Sequence, residues 1–192
     1  MGCPLHWSIW HQSMHEDGSS ISFEEEMMRK MPHHHLATKL HHYGMRGKML
    51  EWVNSFLSSR TQEVILEGKK SSPAPVTSGV PQGSVLAPIL FLCYINDLPN
   101  QVSSTVRLFA DDCLLYRNIN TTHDVDTLQE DIDKLQTWEV DWLMEFNPDK
   151  CEIIRITNRR KKKIVTNYSI HEHHIKEVKV PWSNYRQKSV LE

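Results

Sequence analysis

The chain has 192 residues, with 22 Lys and Arg against 24 Asp and Glu and an apolar fraction of 39%. That length suits one domain with a buried core, or a slice of a larger one, and the modest apolar content points to a globular piece with polar ends. A net charge of -2 excludes a globally basic nucleic-acid binder, so any such binding has to rest on local patches.

Residues 1–31 show neither helical nor strand periodicity and read as a divergent, poorly ordered segment. No basic region followed by an apolar stretch opens the chain, so no secretory signal is expected. Met1-Gly2-Cys3 hints at lipidation, but His6 stands where a myristoylation signal wants Ser or Thr. No apolar run approaches the roughly 20 residues that span a bilayer, which places the protein inside the cell, nuclear or cytoplasmic, with no membrane partner. From Pro32 the pattern becomes orderly. Leu36, Leu40 and Tyr43 have helical spacing, with Gly44 as a natural stop, and Leu50, Val53, Phe56 and Leu57 mark a second helix.

Residues 62–67 alternate, with Val64 and Leu66 on one face of an expected strand, and a loop with two prolines follows. Residues 84–97 read as a helix whose stripe is Val85, Ile89, Leu92 and Ile95, with Pro88 near its first turn. Two short apolar runs, 106–110 and 113–116, meet at the adjacent pair Asp111-Asp112. A long helix is expected to begin near Thr121, with Asp124 completing a capping box and a stripe of Val125, Leu128, Ile132, Leu135, Trp138 and Trp142. Residues 152–157 and 164–170 read as a second hairpin around the basic turn 158–163, and the pattern dissolves after Val180. The order helix, helix, strand, helix, hairpin, helix, hairpin describes an α+β fold with an antiparallel sheet packed on helices.

The cysteines Cys3, Cys93, Cys113 and Cys151 are scattered, with no C-x-x-C pair, which fits a reducing compartment and argues against a zinc ribbon or a disulfide framework. Adjacent aspartates at a hairpin tip repel one another unless cations neutralise them. Mg²⁺ takes oxygen ligands, and two such ions can clamp the attacking and leaving oxygens of a phosphoryl transfer. On the dipeptide alone an ordinary acidic turn is the simpler reading.

The flanking residues change that. Phe109-Ala-Asp-Asp112 followed by Cys-Leu-Leu-Tyr116 resembles the catalytic hairpin of non-LTR (LINE- or jockey-type) retrotransposon reverse transcriptases. Gly79-Val-Pro-Gln-Gly-Ser-Val-Leu-Ala-Pro-Ile-Leu-Phe-Leu-Cys-Tyr-Ile-Asn-Asp-Leu-Pro99 is similar to the preceding signature of that family. Pro32-His-His-His-Leu36, Lys39-Leu-His-His-Tyr-Gly-Met-Arg-Gly47, Phe56-Leu-Ser-Ser-Arg-Thr-Gln62 and Trp142-Leu-Met-Glu-Phe-Asn-Pro-Asp-Lys-Cys-Glu152 extend the likeness. It covers residues 32–178, which implies a partial palm domain with fingers and thumb incomplete, preceded by the divergent 1–31 and followed by a divergent tail, 179–192.

The resemblance implies template-directed addition of deoxynucleotides to a DNA primer on an RNA template, with Mg²⁺ or Mn²⁺ held by Asp111 and Asp112. By the same resemblance Gly79, Gln82, Gly83 and Phe109 line the nucleotide and template site. Lys150 stands where such polymerases place a lysine that protonates the leaving pyrophosphate, against the reading of a plain surface lysine. The pattern breaks at the first motif. Counting back from Pro32, its metal-bridging aspartate belongs at residue 23, where this chain has Phe23 followed by Glu24, Glu25 and Glu26. Rescue by one of these glutamates would misplace the metals, since a shift of about one ångström can cost about a hundredfold in rate.

Twelve histidines invite a zinc reading, with His33, His34 and His35 near His41 and His42, and a second group at His171, His173 and His174. No cysteine or carboxylate completes a ligand set, so zinc is disfavoured. Arg159, Arg160, Lys161, Lys162 and Lys163 form a solvated turn that can also meet template or primer phosphates. The sequence thus describes a reverse transcriptase palm fragment expected to be inactive as an isolated chain. The rival readings are a non-catalytic nucleic-acid-binding module and a non-functional relic, and the oligomeric state is left open.

Overall fold

The computed structural model describes residues 3–9, 28–81, 83–109, 112–156 and 164–178. In chain order the elements begin with strand β1 (Cys3–Ile9), helix α1 (His33–His42) and helix α2 (Lys48–Leu57). Four two-residue strands follow, β2 (Thr61–Gln62), β3 (Ile65–Leu66), β4 (Lys69–Lys70) and β5 (Ala74–Pro75), and then helix α3 (Leu86–Ile95). Strands β6 (Thr105–Phe109) and β7 (Asp112–Ile119) precede the long helix α4 (Thr122–Trp142). Strands β8 (Cys151–Arg155), β9 (Ser169–Ile170), β10 (His173–His174) and β11 (Lys176–Val178) end the described chain. The architecture is mixed α+β. Among the described residues no helix is long and apolar enough to cross a membrane.

These elements form two compact units. One holds β1, β6, β7, α4 as far as Glu139 and the described residues from Phe146 onward. Its sheet has the order β11-β8-β1-β7-β6. All neighbours are antiparallel except β11, which runs parallel to β8. Alternation along the strands puts Val106, Cys113, Leu115, Cys151 and Ile153 on a buried face. The helix contributes Leu128, Ile132, Leu135 and Trp138 to the same core, four of the six residues of its expected stripe. The capping box that starts α4 is formed: the Asp124 amide donates to the Thr121 hydroxyl at 3.3 Å, and the Thr121 amide donates to the Asp124 carboxylate at 2.9 Å. Asp124 is held below its usual carboxylate range by the Asn120 amide and then by the Thr121 hydroxyl and amide.

The other unit holds residues 28–97 together with Val140–Glu145. Its core is built from Met28, Met31, Leu36, Leu40, Val53, Leu57, Leu90, Phe91 and Tyr94. Lys39 lies inside it at 3% exposure, pairing with Asp97 at 2.5 Å, donating to the Tyr94 carbonyl and resting 3.8 Å from the centre of the Trp142 ring. Tyr94 closes the group by donating its hydroxyl to the Trp142 carbonyl.

Among the described residues of 1–31, Cys3–Ile9 form β1 in the middle of the larger sheet and residues 28–30 form a helical turn. Several expectations about later elements need correction. The strand expected over 62–67 is split between two separate pairings, β2 with β5 and β3 with β4, and Val64 and Leu66 are exposed. Among the described residues the expected hairpin of 152–157 with 164–170 does not form. β8 pairs with β1 and β11, and β9 pairs with β10 across a turn in which His171 and Glu172 take positive φ. On α3 the buried residues are Ala87, Leu90, Phe91, Tyr94 and Ile95, while Val85, Ile89 and Leu92 are exposed. That helix, Leu-Ala-Pro-Ile-Leu-Phe-Leu-Cys-Tyr-Ile, is apolar on every side, so spacing alone does not choose its face. Tyr43, which shares the helical spacing of the buried Leu36 and Leu40, is exposed.

Candidate active site

The two apolar runs around Asp111-Asp112 form the antiparallel ribbon β6–β7, in register from Thr105 opposite Tyr116 to Phe109 opposite Asp112. Residues paired across an antiparallel ribbon share a face. Since Val106 and Cys113 point into the core, Arg107, Phe109, Asp112 and Leu114 share the other face of the ribbon. Phe109, at the last pair before the tip, is 80% exposed, a large apolar ring left in solvent beside a half-buried carboxylate. Asp111 lies outside the described residues, as do Gln82 and the basic run Arg159, Arg160, Lys161, Lys162 and Lys163. Next to Asp112 the Cys113 thiol is pushed up to about 12 by burial first, then by Cys151 and Asp112, so it stays protonated and inert.

The sheet brings Lys150 to the same end. Cys113 of β7 and Cys151 of β8 both pair with Ile9 of β1, and Asp112 and Lys150 are the residues immediately before them. They therefore stand at one edge of the sheet with a single strand between their own, which corresponds to about 10 Å of backbone separation. Lys150 is delivered by a short 3₁₀ turn, Pro148–Lys150, whose start is capped by Asn147: its side chain accepts the Asp149 amide at 3.0 Å, and its carbonyl accepts the Lys150 amide at 3.1 Å.

Gly79 and Gly83 belong to the other unit. Gly79 has φ +73°, and a Cβ added there would lie 2.6 Å from the Arg29 carbonyl oxygen, so only glycine fits. Its amide donates to the Met31 carbonyl at 2.7 Å, and the Val80 amide donates to Met28 at 3.0 Å. Its own carbonyl accepts from Arg60 Nη2 at 2.6 Å and lies 2.7 Å from His33 Nε2. Gly83, at φ +76°, has nothing within 4 Å of an added Cβ. Sequence reasoning missed Arg60 and His33, although both stand in segments that carry the family likeness. Neither residue type signals such a role without the contact.

A model of the reverse transcriptase (RNA-dependent DNA polymerase) family matches residues 28–185, most of the chain. The protein belongs to that family. Among curated relatives, the RNA-directed DNA polymerase from mobile element jockey of Drosophila melanogaster is 35% identical over 116 residues, 56% of this chain and 13% of the relative. The jockey polymerase of Drosophila funebris is 33% identical over 120 residues, 58% of this chain and 13% of that protein. A probable RNA-directed DNA polymerase from transposon X-element of Drosophila melanogaster is 34% identical over 116 residues, 57% of this chain and again 13% of the relative. The reverse transcriptase is thus of the non-LTR retrotransposon type, and its match spans about an eighth of those polypeptides.

The donor chemistry at the β6–β7 tip fits a hard divalent cation: the Asp112 carboxylate is half-buried at a strand end, and a second aspartate adjoins it in the chain. Among the described residues no cluster of three possible ligands forms there or elsewhere.

Proposed function

We propose that this chain is the palm portion of a non-LTR RNA-directed DNA polymerase, one that would act on an RNA template, a DNA primer and deoxynucleotides, and that by itself it does not polymerise. The observation that carries the reading is the β6–β7 register, which sets Asp112 and Phe109 side by side at the hairpin tip, with Lys150 at the same edge of the sheet. In this reading Asp111 and Asp112 hold divalent cations. Bound there, Mg²⁺ or Mn²⁺ supplies charge neutralisation at the attacking and leaving oxygens. Phe109 packs against the incoming nucleotide or primer end, and Gln82 and Gly83 approach nucleotide and template. Lys150 gives a proton to the departing pyrophosphate. Arg159, Arg160, Lys161, Lys162 and Lys163 meet backbone phosphates.

Inactivity follows from a missing carboxylate. The family's first aspartate belongs at residue 23 by spacing, and the chain has Phe23. The strand on the other side of β7 from β6, β1, reads Cys-Pro-Leu-His-Trp-Ser-Ile, and the first acids after it are Glu16 and Asp17. Asp111 and Asp112 would then have to hold divalent cations without the third carboxylate that the family's first motif would supply.

Primer extension on an RNA template with Mg²⁺ or Mn²⁺ tests this, run beside an Asp111→Ala/Asp112→Ala control. The expected result is binding of primer–template without extension by either protein. Extension that disappears in the control would show that another carboxylate completes the site.

A further inference from the structure

The turn at residues 79–83 is held at its entry by two side chains from distant parts of the sequence. Arg60 donates through Nε to the Leu57 carbonyl at 2.9 Å, the last residue of α2, and this anchors the planar guanidinium so that Nη2 is aimed at the Gly79 carbonyl. His33, the first residue of α1, brings Nε2 to the same oxygen. A carbonyl oxygen only accepts, so His33 carries its proton on Nε2. The 3.3 Å approach of Arg60 Nη2 to His33 Nε2 is then a contact between two donors that share one acceptor.

We infer that Arg60 and His33 are positioning residues that set the direction in which the 79–83 turn is presented to nucleotide and template. The inference rests on the reading above, in which that turn meets substrate. The peptide unit is planar, so fixing the Gly79 carbonyl fixes the whole Gly79–Val80 plane. Its amide side is fixed as well, since the Val80 amide donates to Met28, while the preceding plane is held by the Gly79 amide on Met31 and the glycine packs against Arg29 without room for a Cβ. The entry is thereby clamped from both sides while Gly83, at the exit, faces open space. Errors near one ångström in that peptide plane matter at a polymerase site. Three segments of the family likeness, around His33, Arg60 and Gly79, thus meet at one oxygen atom.

The test uses the full chain with Arg60→Ala, Arg60→Lys, His33→Ala and His33→Gln. It reads amide exchange at Gly79 and Val80, the ¹⁵N signature of the His33 ring, and the affinity for a labelled RNA-template/DNA-primer duplex. Each alanine variant is expected to speed exchange at these two amides about tenfold, with α2 unchanged, and to weaken duplex binding about tenfold. The lysine and glutamine variants, which keep a donor, restore both. The His33 ring should show a protonated Nε2. Unchanged exchange in the alanine variants, or altered exchange with unaltered duplex affinity, overturns the inference. A wild-type chain that binds no duplex at all overturns the functional reading instead, and is told apart because the variants then have no affinity to lose.

Discussion

Asp131 shows how one side chain can decide the geometry of a connection. It is fully buried on α4, and accepts from the Ser103 amide at 3.0 Å, the Ser103 hydroxyl at 2.9 Å, the Ser104 amide at 2.7 Å and Lys134 at 2.9 Å. Burial works to raise its pKa, but the hydrogen bonds from Ser104, Ser103 and Lys134 outweigh it and bring the group to about 2. A carboxylate held below its unfolded value near 4 contributes stability above that pH and loses it as pH falls. The shift corresponds to roughly 2 to 3 kcal/mol, lost between about pH 4 and pH 2. Asp131→Ala is expected to lower stability by about 3 kcal/mol at neutral pH, because two backbone amides then lose their acceptor. Asp131→Asn should lose less, and urea denaturation followed by circular dichroism at pH 7 and pH 3 checks both. A variant whose deficit is as large at pH 3 as at pH 7 would contradict the assignment.

At the scale of elements, α3 gives the clearest test. Its buried side is Leu90, Phe91, Tyr94 and Ile95, and of the four residues that simple spacing favours only Ile95 is buried, while Val85, Ile89 and Leu92 face outward. Phe91→Ala should cost about 3 to 5 kcal/mol by leaving a cavity, whereas Ile89→Ser should stay within about 0.5 kcal/mol. Thermal unfolding of the two variants decides between the faces, since the opposite order of effects would restore the spacing-based stripe. The reason the sequence misled here is physical. Hydrophobic periodicity reports a buried face through contrast with a polar one, and this helix has no polar face. On α4 the contrast is present, with charged and polar residues between the apolar ones, and Leu128, Ile132, Leu135 and Trp138 were legible without the structure.

For the whole molecule, a net charge of -2 means that any attraction for nucleic acid has to come from patches rather than from the overall field. If the run from Arg159 to Lys163 meets phosphates, Lys161→Gln/Lys162→Gln/Lys163→Gln should flatten the salt dependence of primer–template binding. Each lost contact is expected to reduce the slope of log affinity against log salt by about 0.7 to 0.9. Fluorescence anisotropy across a salt series measures this, and an unchanged slope would place the phosphate contacts elsewhere. The unit that holds α1, α2 and α3 exposes Met49, Trp52, Val64, Ile65 and Leu66 in addition to the outer side of α3. The relatives are about eight times as long as the segment that matches this chain.

The sequence by itself determined the family, the hairpin that carries Asp112, and the start and buried stripe of α4. These depend on residues adjacent in the chain or one helical turn apart, so their chemistry is written locally. The tertiary structure alone decided that β8 pairs with β1 and β11 instead of with residues 164–170, that α3 buries Phe91, and that His33 and Arg60 converge on the Gly79 carbonyl. Each of these is a choice among partners far apart in the chain. Strand pairing and burial of an all-apolar helix are settled by which competing surfaces close the core, and no local pattern encodes that competition.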